Sequence, residues 1–230
     1  MSFPAPLLAL RLQRARHSPL PPPAAPAPAD LAAASTQFGL TLSHVWRSCR
    51  CCPASKEPLW RLAVHGIFGS HIPGPCACGA PVPPDTATSP CRKRLHQFWE
   101  CPVAQHVLGE VCAVVGPVSV AQIWLLTAAP EGVHGLVWQL VGLAAVLAME
   151  RGRACLHGLQ IQLPDGPSAA REQAVARAGV AAADSFWAEL QSFAAVPPKA
   201  WPEGSFDGLQ PGGAFLSWRD GTLACDGPRA

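Results

Sequence analysis

Thiol and imidazole side chains between Cys76 and Cys101 constrain this chain more than any other feature of its sequence. Cys76 and Cys78 flank a single alanine and precede Gly79. A loop of 17 residues separates Cys78 from His96, and four residues then separate His96 from Cys101. Zinc in structural sites takes four thiolate or imidazole ligands in a tetrahedron, supplied by paired motifs. The spacing therefore predicts a structural Zn²⁺ site. Its ligands would be Cys76, Cys78, His96 and Cys101.

Cys91 is a fifth candidate ligand and keeps the ligand set open. Four residues separate Cys91 from His96, as in the second half of a retroviral-type zinc knuckle. The first cysteine of that knuckle is missing, because Thr88 stands in its place. A ligand set that includes Cys91 is therefore one alternative, and a chain with free thiols and no metal is another.

The number of cysteines indicates a reducing compartment. The chain has ten cysteines but no evident secretory signal, which favours metal ligands and free thiols over disulfides. We expect a nuclear or cytoplasmic protein. An arginine-containing N-terminus that directs the chain to an organelle is the alternative. A further cluster is made of Cys49, Cys51 and Cys52. We expect these three cysteines to be free thiols, and a second metal site is the alternative.

Composition divides the chain into four parts. Residues 1–34 are rich in proline and alanine and are expected to be a disordered leader, because they bury too little apolar surface to offset chain entropy. Residues 35–115 are the predicted zinc-binding helical region, and residues 116–196 are a helical region that packs on it. Residues 197–230 are a tail that carries a predicted hairpin.

Apolar periodicity predicts a mainly α-helical domain with a zinc knuckle-like loop and a C-terminal β-hairpin. The predicted helices cover residues 38–47, 57–65, 102–115, 133–156 and 168–195. Phe186, Leu190 and Phe193 would lie on the core face of the last helix. Asp220-Gly221 between two apolar runs is typical of a hairpin turn.

One apolar stretch raises the question of a membrane span. Residues 133–149 contain no Asp, Glu, Lys or Arg over 17 positions, which is the lower limit of spanning length. His134, Gln139 and two glycines interrupt the stretch. A buried core helix is therefore expected, and a single transmembrane span is the alternative.

Nucleic-acid contact is predicted only locally. The formal net charge of +2 produces no global field that would attract nucleic acid. A basic run, Arg92, Lys93 and Arg94, lies beside the predicted metal site and close to Phe98 and Trp99. Basic residues beside exposed aromatic rings suit RNA or single-stranded DNA. The alternatives are a solvated loop for the basic run and core packing, which we favour, for the two rings.

No catalytic signature is present, and we expect that the chain is not an enzyme. The sequence lacks a Gly-x-Ser-x-Gly elbow, a phosphate-binding loop and a His-Glu-x-x-His motif. Its acidic residues are few and scattered, which argues against catalysis by paired carboxylates. A helical protein-interaction domain without nucleic-acid binding is the alternative function.

Three segments together resemble the reverse transcriptase zinc-binding domain, which follows the polymerase in plant-type non-LTR retrotransposons. They are residues 59–66 with their Leu-Trp pair, the Cys76–Gly79 turn, and residues 96–104. The resemblance implies a retrotransposon-derived, zinc-stabilised accessory module that contacts nucleic acid. The implied ligands are Cys76, Cys78, His96 and Cys101. We expect no polymerase within these 230 residues, because they contain no tyrosine for a Tyr-x-Asp-Asp box.

Overall fold

The described part of the chain is mainly helical. The computed structural model describes residues 76–82, 95–119, 122–123, 129–162, 168–197, 201, 203–205, 207–209, 216–219 and 222–225. Its helical elements are a π-helical turn (His96–Glu100) and the α-helices α1 (Pro102–Val115), α2 (Gly135–Gln162) and α3 (Ser168–Ala194). The predicted mainly α-helical class is confirmed for these residues.

The ends of α1 follow from a proline and a glycine. Pro102 occupies the first turn, where the missing N–H is no loss. Gly116 ends the helix with φ at 79°, and its N–H donates to the carbonyl of Cys112 at 3.0 Å. The left-handed backbone suits glycine because it has no Cβ. The predicted bounds of 102–115 are confirmed.

Helix α2 forms the centre of the core. All side chains from residue 140 to residue 150 are buried, and both α1 and α3 pack against this helix. Phe186, Leu190 and Phe193 of α3 are fully buried, as their spacing predicted. Helix α2 extends to Gln162, beyond the predicted end at residue 156. The reason is that no helix-breaking proline precedes Pro164.

The apolar first half of α2 is a core helix. Residues 140–149 are all buried among the other helices. Among the helices that the structure describes, none has both the length and the apolar character needed to cross a bilayer.

Two glycines allow the three helices to approach one another closely. A Cβ on Gly152 of α2 would lie 2.5 Å from the Cβ of Ala182 in α3 and 2.7 Å from Cγ1 of Val103 in α1. A Cβ on Gly179 of α3 would overlap the imidazole ring of His106 in α1. Interiors are close-packed, so these crossings exclude even one additional methyl group.

Two short strands follow the helices. Strand β1 (Leu216–Arg219) pairs antiparallel with strand β2 (Thr222–Cys225), with Leu216 opposite Cys225. Strand β2 also contacts α3. Asp220 and Gly221, which form the predicted turn, lie outside the described residues, so the hairpin stays a prediction. The predicted leader and the predicted helices at 38–47 and 57–65 also lie outside them.

Candidate metal centre

A tight turn holds the first pair of thiols. The N–H of Gly79 donates to the carbonyl of Cys76 at 2.8 Å, which closes the turn. Gly79 has φ at 89°, a left-handed conformation that side chains with a Cβ rarely adopt. The N–H of Ala80 then donates to Sγ of Cys78 at 3.5 Å. The turn therefore supplies two sulfur atoms and one N–H donor to a sulfur, within five residues.

A π-helical turn supplies the second pair of donor atoms. The N–H of Cys101 donates to the carbonyl of His96 at 2.7 Å, a bond between residues five apart. This turn is one residue wider than an α-helical turn, and such turns are frequent at functional sites. It brings the side chains of His96 and Cys101 to the same side, and both residues are buried. The side-chain amide of Gln105, in α1, donates to the carbonyl of Trp99 in this turn.

The four donor atoms meet in one cluster. Each residue offers one ligand atom, and all four ligand atoms lie within 4.8 Å of one another. Sγ of Cys78 and Nε2 of His96 are 3.4 Å apart. In a tetrahedral zinc complex, bond lengths of about 2.3 Å to sulfur and about 2.0 Å to nitrogen place such ligand atoms about 3.5–3.8 Å apart. The cluster could therefore hold a metal ion, and it contains all four residues that the sequence predicted as ligands.

Hydrogen bonds and burial shift the pKa values of three residues in the cluster, Cys76, His96 and Cys101. Hydrogen bonds from the Cys101 and Cys78 side chains lower the pKa of Cys76. The pKa of the Cys101 thiol is raised, because it donates to Cys76 and Cys78 and is buried. Burial lowers the pKa of His96, but hydrogen bonds to Cys76 and Cys78 outweigh it and raise the pKa to about 9. A metal ion at neutral pH would displace the protons of His96 and Cys101.

The imidazole of His96 has a carboxylate on its outer side. Nδ1 of His96 lies 3.7 Å from Oε2 of Glu100, while Nε2 faces the sulfur of Cys78. Histidine ligands of metals commonly direct their second nitrogen to a carboxylate in this way, which fixes the ring orientation. Sequence reasoning missed this role of Glu100, although the spacing of four residues between His96 and Glu100 is a helical signal that could have found it.

The aromatic residues beside the cluster belong to the core. Phe98 and Trp99 are only 2% and 5% exposed, which confirms packing as the role of both rings. Neither ring offers a free face for stacking on a nucleic-acid base. Other predicted site residues lie outside the described part of the chain. They are Cys49, Cys51, Cys52, Cys91, Arg92, Lys93 and Arg94.

Comparison with models of protein families, with curated proteins and with solved structures found no match to this chain. The resemblance to the reverse transcriptase zinc-binding domain therefore stays a prediction from the sequence. Support for a function comes from the cluster of Cys76, Cys78, His96 and Cys101.

Proposed function

We propose that the protein is a non-catalytic module whose fold is stabilised by one Zn²⁺ ion. The observation that carries the proposal is the convergence of three thiols and one imidazole within 4.8 Å. Thiolate and imidazole ligands in a tetrahedron favour zinc. Four protein ligands complete the coordination and leave no position for a substrate or a reactive water, as in structural sites. The ligands are Cys76, Cys78, His96 and Cys101.

The ion would act as a cross-link between two segments. Cys76 and Cys78 come from the tight turn, whereas His96 and Cys101 come from the π-helical turn that precedes α1. We propose that this cross-link closes the zinc knuckle-like loop of the module. The predicted hairpin would lie at the C-terminal end of the chain.

We further propose that the module is related to the reverse transcriptase zinc-binding domain and contacts RNA or single-stranded DNA. The support is the resemblance of the three sequence segments and the basic run Arg92, Lys93 and Arg94. The metal would hold this run next to His96 and so present three positive charges together. Because Phe98 and Trp99 are buried, contact with phosphates rather than stacking would supply the affinity.

Salt-dependent binding tests this function. We expect the full chain to bind single-stranded RNA or DNA, with an affinity that falls as salt rises. Replacement of Arg92, Lys93 and Arg94 by alanine should weaken binding and reduce the slope of log affinity against log salt by about 2, at about 0.7 per phosphate contact. The measurement is a fluorescence anisotropy titration at several salt concentrations.

The control removes exposed positive charges of α2 and α3. Arg151 and Arg177 are exposed in the structure, and their double alanine variant should bind as the unaltered chain does. If neither the unaltered chain nor the control shows salt-dependent binding, the nucleic-acid proposal is wrong. The helical protein-interaction domain would then be the better description.

A further inference from the structure

Arg153 of α2 carries a buried positive charge that lacks hydrogen bonds at two of its nitrogen atoms. Only 8% of the residue is exposed. Its Nε and Nη1 atoms are buried and have no hydrogen-bond partner among the residues described. A buried charge without a partner is strongly unfavourable, so charges inside a protein are paired or otherwise compensated. Some negative charge near Arg153 must therefore offset its guanidinium.

The position of Arg153 in the fold places it beside the metal cluster. Its neighbour Gly152 approaches α1 so closely that a Cβ there would lie 2.7 Å from Cγ1 of Val103. Val103 follows Cys101 by two positions, so this turn of α2 lies against the start of α1, directly after a proposed ligand. Burial lowers the pKa of the Arg153 guanidinium, and attraction to Cys76, Cys101, Glu150 and Cys78 opposes that effect.

The net negative charge of a bound metal complex would offset the positive charge of Arg153. One Zn²⁺ ion with three thiolates and one neutral imidazole has a net charge of −1. A negative complex in the interior needs a positive neighbour, because burial penalises an uncompensated charge. Among the residues described, Arg153 is a buried cation with unpaired donors that is attracted to three of the four ligands.

We propose that Arg153 is the counter-ion of the metal complex and a determinant of its affinity. The inference rests on the proposed zinc site and assigns it one positioning residue outside the ligand set. The guanidinium offsets the net negative charge that three thiolates give to the complex. A positive neighbour of this kind suits a centre of three cysteines and one histidine, which is negative. It would not suit a centre of two cysteines and two histidines, which is neutral.

A different reading is that Arg153 serves only as the partner of Glu150. Glu150 lies one turn earlier in α2, is also buried, and attracts the guanidinium. The two readings predict different results for replacement of Arg153. If Arg153 is the counter-ion of the metal complex, its replacement weakens zinc binding. If Arg153 only pairs with Glu150, its replacement does not change zinc affinity.

The test measures zinc affinity of the full chain by competition with a chromophoric chelator at neutral pH. Arg153→Met should bind Zn²⁺ about 10- to 100-fold more weakly, which is the usual effect of losing a partner outside the ligand set. Arg153→Lys keeps the charge and should retain most of the affinity. Arg151→Met is the matched control, because Arg151 lies two positions earlier in α2 with its side chain 56% exposed. Its affinity should equal that of the unaltered chain.

A second readout separates an electrostatic role from a structural one. At saturating Zn²⁺, Arg153→Met should keep the far-ultraviolet circular dichroism spectrum of the unaltered chain, although its zinc is held more weakly. A changed spectrum at saturating Zn²⁺ would indicate a structural role and overturn the inference.

The outcomes distinguish this inference from the proposed function. If the unaltered chain binds Zn²⁺ and Arg153→Met binds it equally well, only the role of Arg153 is wrong. If the folded, unaltered chain binds no Zn²⁺, the proposed function fails and the inference fails with it.

Discussion

Removal of the metal by a chelator is expected to lower the free energy of unfolding by about 10 kcal/mol, the free energy with which structural sites of this kind hold zinc. That loss is comparable to the whole stability of a typical domain. The reason is that Cys76 and Cys78 are joined to His96 and Cys101 through the metal, and the ligands are not preassembled in the unfolded chain. Thermal denaturation followed by circular dichroism, with and without chelator, measures the change.

Two cysteine variants make this prediction specific to the cluster. Cys101→Ser should resemble the chelated protein and should be insensitive to further chelator. Cys155→Ser is the matched control, because Cys155 is an exposed, free cysteine of α2 outside the cluster. It should denature and respond to chelator as the unaltered chain does. Denaturation of the unaltered chain that chelator leaves unchanged would contradict a structural metal.

Gly152→Ala is expected to lower the free energy of unfolding by about 1–3 kcal/mol, the usual cost of overpacking a core. The added methyl group would lie 2.5 Å from the Cβ of Ala182 and 2.7 Å from Cγ1 of Val103, and would force the helices apart. Both neighbours are short side chains attached close to the backbone, so neither can move aside cheaply. Chemical denaturation of the metal-loaded protein measures the loss.

The same substitution in the same helix should have the opposite effect at Gly158. A Cβ on Gly158 would meet nothing within 4 Å, and the residue is exposed. Alanine is the better helix former by up to about 1 kcal/mol, so Gly158→Ala should stabilise the protein. Equal stability of the two variants would show that α2 does not approach α1 and α3 as closely as described.

Local sequence signals predict the Cys/His cluster and most helix ends. The four clustered residues follow from pairs of Cys and His at short spacing, which is a local property of the chain. Pro102 and Gly116 mark the ends of α1. Proline restricts the backbone where the helix begins, and glycine permits the positive φ where it ends. Phe186, Leu190 and Phe193 mark the core face of α3 through helical spacing.

Features that depend on packing between helices could not be predicted from the sequence. Nothing in the residues from His96 to Glu100 distinguishes a π-helical turn from an α-helical one. Arg153 lies far along the chain from Cys101, and the close approach of α2 to α1 at Gly152 and Val103 cannot be read from the sequence. The sequence does not distinguish Gly152 from Gly158, since both are glycines of α2. Of the two, only Gly152 lies where α2 contacts the other helices.

X-ray absorption at the zinc edge of the purified, folded protein tests the central claim most directly. We predict one zinc per chain, with three sulfur atoms at about 2.3 Å and one nitrogen atom at about 2.0–2.1 Å. The Cys91→Ser variant should give the same spectrum, and Cys101→Ser should lose a sulfur atom or the metal. Folded protein without zinc, or zinc surrounded only by nitrogen and oxygen atoms, would contradict the assignment of Cys76, Cys78, His96 and Cys101 as a metal centre.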